Sequence, residues 1–201
     1  MSDERTVRVI GPRDPRDPEA INTTSTSPTW SRGLSPFYLG PVDLYDGYVA
    51  QTMENAWQYA KLYEEHACYD GPRVRPAASY WRWALHGWTQ ERAVRYPMGK
   101  GAVPVCSWWD GQALDYISAR KRIYLPLYRD AVRTTAAFKR LQQLYAQHGR
   151  VTLWDFDGYD HLRLGLSLRA VLNNPQRKMG HAFVLAMLLI YGPRFHRSDL
   201  R

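Results

Sequence analysis

The longest run without a polar side chain is Ala182 to Tyr191 (AFVLAMLLIY), and it limits the fold more than any other feature of the sequence. As a helix those ten residues extend about 15 Å, half of a bilayer core of about 30 Å. A helix that is apolar all round and too short to span a membrane has to be wrapped in protein. The reading is therefore a buried helix over Met179–Tyr191, ended by Gly192-Pro193. The chain has 201 residues, 45% of them apolar and 23% charged, which is enough to build a proper core around that helix. The N-terminus carries charges where a secretory signal needs apolar residues, so a soluble, cytoplasmic protein is expected.

Formal net charge is +8, which favours partners that carry phosphate, with a generally basic surface of no particular role as the alternative. Two isolated cysteines, Cys68 and Cys106, suit a reducing compartment. The six histidines are scattered, so no structural zinc and no other metal or cofactor is called for. Eight Trp and fourteen Tyr are many for this length and leave rings to spare for lining a pocket.

Residues 1–18 alternate charge and proline (PRDPRDP) and read as a mobile arm, with one domain over 19–201. Short strands are expected at Ala20–Thr24 and Val151–Trp154, and a strand or strand pair over Pro36–Leu44 followed by an Asp46-Gly47 turn. Thr52 is placed to cap a helix over Met53–His66. Further helices are read at Ala78–Trp88, Asp110–Tyr124 and Leu127–Gln147, with a break or kink at Pro126, and a short one after Ser167. Loops take Arg95–Cys106 and Asp155–Gly165. Helices with a few short strands make the class α+β.

The chemistry concentrates in Glu54-Asn-Ala-Trp-Gln-Tyr-Ala-Lys61. If all eight residues are helical, Glu54 and Lys61 share one face about 10 Å apart, with Trp57 and Gln58 between them. Facing a pocket, such a surface offers a carboxylate, an amine, a ring and an amide; facing outward it is an ordinary solvated face. Arg120-Lys121-Arg122, on an expected helix, is either a nucleic-acid backbone contact or a solvated charge run. His181 reads as a satisfied core histidine.

Three segments, SPFYLGPV, YDGYVAQTM and ENAWQYAK, follow in the order of an SNFY-like segment, a strand pair with a DG-type turn and an EHAYQAAK-like helix. Gly158-Tyr159-Asp160 looks like a PYD element, and Asn174-Pro175 with Met179-Gly-His-Ala182 and Leu185-Ala-Met187 like a closing NLLGKALM-like helix. In this the chain resembles the NADAR (YbiA-like) N-glycosidases over about residues 30–190. It departs from them where His161-Leu-Arg-Leu-Gly165 replaces the Trp-Gly after PYD, and in a larger, more aromatic stretch from Tyr69 to Trp109.

The resemblance implies a NADAR-like α+β domain that hydrolyses a ribose-to-nitrogen bond. The substrate it implies first is ADP-ribose on a modified guanine in nucleic acid or nucleotide; a riboflavin-pathway ribosylamine is the alternative. Such bonds break through a cation-like C1, which a carboxylate stabilises while it activates water, and Glu54 takes that role. Lys61 either attacks C1 of the opened sugar or grips a phosphate. Asp160 is the third expected catalytic residue, orienting ribose hydroxyls or assisting as acid-base, unless it only caps the following turn. Arg32, Phe37, Tyr38, Trp57 and Gln58 are the expected substrate contacts. A reading of another class is a non-catalytic nucleic-acid or nucleotide-binding module of the same fold. Oligomeric state has no signature in the sequence.

Overall fold

A computed structural model describes residues 5–192 and Phe195. In chain order the strands are β1 (Thr6–Ile10), β2 (Ile21–Asn22), β3 (Val42–Asp43), β4 (Val49–Ala50), β5 (Lys61–Leu62), β6 (Ala67–Asp70), β7 (Arg73–Pro76), β8 (Cys106–Trp109), β9 (Gln112–Leu114) and β10 (Arg150–Trp154). The helices are α1 (Met53–Gln58), α2 (Ala78–Thr89), α3 (Tyr116–Ala119), α4 (Leu125–Val132), α5 (Ala136–His148), α6 (Leu168–Asn173) and α7 (His181–Tyr191). The class is α+β. No helix among the described residues is long and apolar enough to cross a membrane. The chain divides into two compact units, residues 1–38 with 128–201, and residues 39–127.

In the first unit β10 lies between β1 and β2, parallel to both. Strand alternation puts Val7 and Val9 in the core and leaves Arg8 on the opposite face. Helix α7 packs on β1, and its residues from His181 to Leu188 are all buried. The mobile arm expected over residues 1–18 is not what the structure shows. Instead Thr6–Ile10 pairs residue by residue with Arg150–Trp154, because its Val-x-Val-Ile alternation is itself a strand pattern that the flanking charges and prolines obscure. The arm's first four residues, and Pro193, lie outside the described residues.

The second unit holds the antiparallel sheet β5-β8-β9 and the hairpins β3–β4 and β6–β7. Asp46 (φ 51°) and Gly47 (φ 77°) make the tight left-handed turn expected between β3 and β4. Asp110 (φ 48°) and Gly111 (φ 72°) do the same between β8 and β9. The helix expected from Asp110 therefore begins only at Tyr116, capped by Asp115, which accepts from the Ser118 amide. From there helix runs on to Val132, through a wide π turn at Arg120–Tyr124 just before Pro126. The prolyl ring cannot donate and crowds the preceding turn, and the wider turn lets the helix continue past it without a break. The chain leaves helix at Arg133–Thr135 instead. Arg120 does not lie on a solvated face: it is 1% exposed, with its guanidinium 4.1 Å from the Tyr116 ring centre.

Candidate functional site

The Glu54 helix is shorter than its sequence suggests. Thr52 caps α1 as expected, its hydroxyl accepting from the Asn55 amide, but the helix ends at Gln58. Lys61 stands in β5, opposite Ser107. The reason is tertiary. The Ala60 carbonyl accepts from the Trp108 amide at 2.7 Å and the Leu62 carbonyl from the Val105 amide at 2.8 Å, so β8 and the residue before it take the backbone groups that further helix would need.

The side chains meet all the same. Gln58 Nε2 donates to Glu54 Oε1 at 2.7 Å, and Lys61 Nζ donates to Gln58 Oε1 at 2.6 Å. The two bonds fix which way the Gln58 amide faces: its NH2 meets the carboxylate and its carbonyl meets the amine. Glu54 and Gln58 are each 6% exposed, and Lys61 and Trp57 are half-buried. Lys61 Nζ lies 5.4 Å from the Trp57 ring centre, and that ring packs edge-on against Tyr124 at 5.1 Å. A carboxylate, an amide and an ammonium thus form a line beside an aromatic face, and the charged ends gain strength from their partial withdrawal from water.

Asn55, which carried no role in the sequence reading, ties this region to the distant segment Gln90–Val94. Fully buried, its Nδ2 donates to the carbonyls of Gln90 and Arg92, each at 3.0 Å, and its Oδ1 accepts from the Val94 amide at 2.8 Å. The signal available in the sequence was an amide residue, a poor helix former, in the first turn of an expected helix.

The remaining expected site residues belong to the first unit. Asp160 is buried and occupied: Arg8 Nε and Nη2 donate to its Oδ2 at 3.0 and 2.6 Å, and the Arg163 amide donates to its Oδ1 at 3.0 Å. Burial, the largest single influence, works to raise its pKa. The Arg8 hydrogen bond, the Arg163 amide and the two guanidinium charges together outweigh it and hold the carboxyl below the usual range. The Arg163 bond is the turn cap anticipated from the sequence. Arg32 is exposed, its Nε donating to the Ser27 carbonyl at 3.1 Å, with its guanidinium 5.4 Å from the centre of the exposed Tyr38 ring. Phe37 is half-buried.

His181 has both ring nitrogens engaged, Nε2 at 2.8 Å from the Thr23 carbonyl and Nδ1 at 3.1 Å from Asp155 Oδ2. The same carboxylate oxygen accepts from the Ala182 amide and so caps the start of α7. Cys106 is half-buried, and burial pushes its thiol up to about 11, so it is protonated at neutral pH. Among the described residues no group of His, Cys, Asp and Glu is arranged to hold a metal ion. No protein-family model, curated protein or solved structure matches the chain.

Proposed function

We propose that the chain is a NADAR-type N-glycosidase that hydrolyses the bond between ribose C1 and a nucleobase nitrogen, with ADP-ribose on a modified guanine as substrate. The observation that carries this reading is the hydrogen-bonded line Glu54–Gln58–Lys61 beside Trp57. Leaving-group departure builds positive charge at C1, and a buried carboxylate stabilises that charge more strongly than an exposed one. Glu54 also accepts a proton from the water that adds to C1, while the departing nitrogen takes up a proton, so the bond is hydrolysed without a net change of charge.

For Lys61 the geometry favours gripping substrate oxygens over attacking C1. A place over an indole face suits an ammonium, whereas attack requires the free amine. Gln58 sets the spacing of the two charges, and Trp57 offers a face for a base or sugar. Asp160, Arg32, Phe37 and Tyr38 enter the proposal on the resemblance. The two free cysteines suit a reducing, cytoplasmic setting.

The test is a substrate panel of ADP-ribosylated oligonucleotide, ADP-ribosylated free nucleotide and phosphoribosylamine, run with wild type and Lys61→Met. The proposal predicts release of ADP-ribose from the modified guanine, with a raised KM in Lys61→Met. Preference for the free ribosylamine would move the substrate assignment to the alternative. Absence of turnover on every N-glycoside would remove the enzymatic reading.

A further inference from the structure

The chain's positive charge is not spread evenly. The first unit holds 17 Lys and Arg against 10 Asp and Glu, the second 10 against 9, so the net +8 divides as +7 and +1. Within the first unit, three long stretches contain no carboxylate: His161 to Ser198, and two that meet in the fold, Ala20 to Tyr38 and Ala131 to Trp154. The 3-10 helix Trp30–Leu34 lies against α5, so closely that a Cβ on Gly33 would stand 3.0 Å from the Ala137 side chain.

What this acid-free surface displays is arginine on aromatic rings. The Arg140 guanidinium, on α5, lies 4.9 Å from the ring centre of Trp30, and that of Arg32 lies 5.4 Å from the ring centre of Tyr38. Arg32, Arg140 and Lys139 are exposed, and Tyr38 is 55% exposed. Among the described residues neither Arg32 nor Arg140 has a carboxylate partner; Arg133, by contrast, is paired with Asp130. The loop leading into the 3-10 helix is stiffened by its own hydroxyls, with Ser27 Oγ 2.8 Å from Ser31 Oγ and Ser31 Oγ donating to the Asn22 carbonyl at 2.6 Å. Basic side chains next to exposed rings on a rigid support can engage a phosphate chain and an unstacked base together. A guanidinium laid on a ring still offers its N–H edge to a phosphate.

We propose that this face of the first unit, built from Arg32, Tyr38, Trp30, Lys139 and Arg140, binds single-stranded nucleic acid through its phosphates and by stacking on bases. The face takes in Arg32 and Tyr38, which the proposed function also uses, but binding of an unmodified strand needs neither Glu54 nor a modified base, so its failure and the failure of the proposed reaction are read separately. A phosphate-only partner would make no use of the exposed Tyr38 ring. An anionic membrane would be expected to meet apolar side chains, whereas the exposed long side chains of α5 are Lys139, Arg140, Gln143, Gln147 and His148.

The experiment is fluorescence anisotropy of an unmodified, labelled 20-mer single strand against the full chain over a range of salt concentrations. Arms with the matching duplex and with anionic phospholipid vesicles separate the partners. Wild type is expected to prefer the single strand, with log Kd rising linearly with log salt. Arg32→Ala with Arg140→Ala should weaken binding about tenfold or more at low salt and flatten the slope by about 0.7 for each phosphate that is no longer neutralised. Tyr38→Ala should weaken binding to a similar degree and leave the slope unchanged. Arg73→Ala with Arg75→Ala, exposed cations of the second unit, should change neither. All these side chains are exposed or half-exposed, and an unchanged melting temperature shows that each variant folds. Undiminished binding by the arginine pair, equal loss in the Arg73/Arg75 control, or tighter binding to duplex or vesicles would each overturn the proposal.

Discussion

Replacing Asn55 tests whether a single buried amide ties α1 to the segment Gln90–Val94. Its three hydrogen bonds all go to main-chain groups, and it is fully buried. Asn55→Ala leaves two carbonyls and one amide without their partner. A net loss of about 1 kcal/mol per bond gives about 3 kcal/mol, with more where water cannot reach the freed groups. For a chain of this size that corresponds to a fall in melting temperature of about 6–12 °C. Asn55→Asp separates hydrogen bonding from packing, because it keeps the shape and the acceptor for the Val94 amide but turns an oxygen toward two carbonyls. That carboxyl should titrate above its unfolded value of about 3.9. With the folded pKa raised, the protonated form is the tolerated one. The Asp variant should therefore recover toward wild type below about pH 4 and lose stability as pH rises through the folded value. Urea unfolding followed by tryptophan fluorescence at pH 4 and pH 7.5 reads both effects. An Asp variant as stable as wild type at pH 7.5 would refute the reasoning.

Two further outcomes follow from the first unit. Because the folded pKa of Asp160 is depressed, its contribution is present above the unfolded value of about 4 and is lost as pH falls through the folded one. Asp160→Asn should lower stability by about 1–2 kcal/mol at pH 7, the lower part of the range for charged hydrogen bonds because Arg8 is partly exposed, and should remove part of the acid sensitivity below pH 4, read by thermal melts across pH. Gly180→Ala would place a Cβ 2.1 Å from Asp155 Oδ2, displacing the carboxylate that caps α7 and meets His181. A loss of about 2–3 kcal/mol in chemical denaturation is expected, and an unchanged midpoint would count against the cap.

Much of the local structure was legible because its signals are short-range. Thr52, Ser167 and the Asp46-Gly47 turn act within three residues, and each occurs where its chemistry requires. Asp110-Gly111 carried the same turn signal as Asp46-Gly47 and was hidden only by the apolar periodicity of the residues after it. What could not be read is what distant segments decide. The end of α1 depends on Trp108 and Val105, and β1 depends on a partner some 140 residues away, so neither appears in a local window. In the candidate site the residues were legible and their arrangement was not. Glu54 and Lys61 were expected on a common helix face; they meet through Gln58, across a helix end and a strand. Asp160 carried the same ambiguity to the end, since Arg8, which occupies it, sits in a segment whose composition reads as an arm.

The central claim is that Glu54 drives cleavage of a ribose–nitrogen bond, and Glu54→Gln addresses it while keeping the shape of the side chain. The measurement is free ADP-ribose released from an oligonucleotide bearing ADP-ribosylated guanine, followed by chromatography under single-turnover conditions. The account predicts release by wild type and a rate lowered about 100-fold or more in the variant, at an unchanged melting temperature. Equal rates for the two proteins would contradict it.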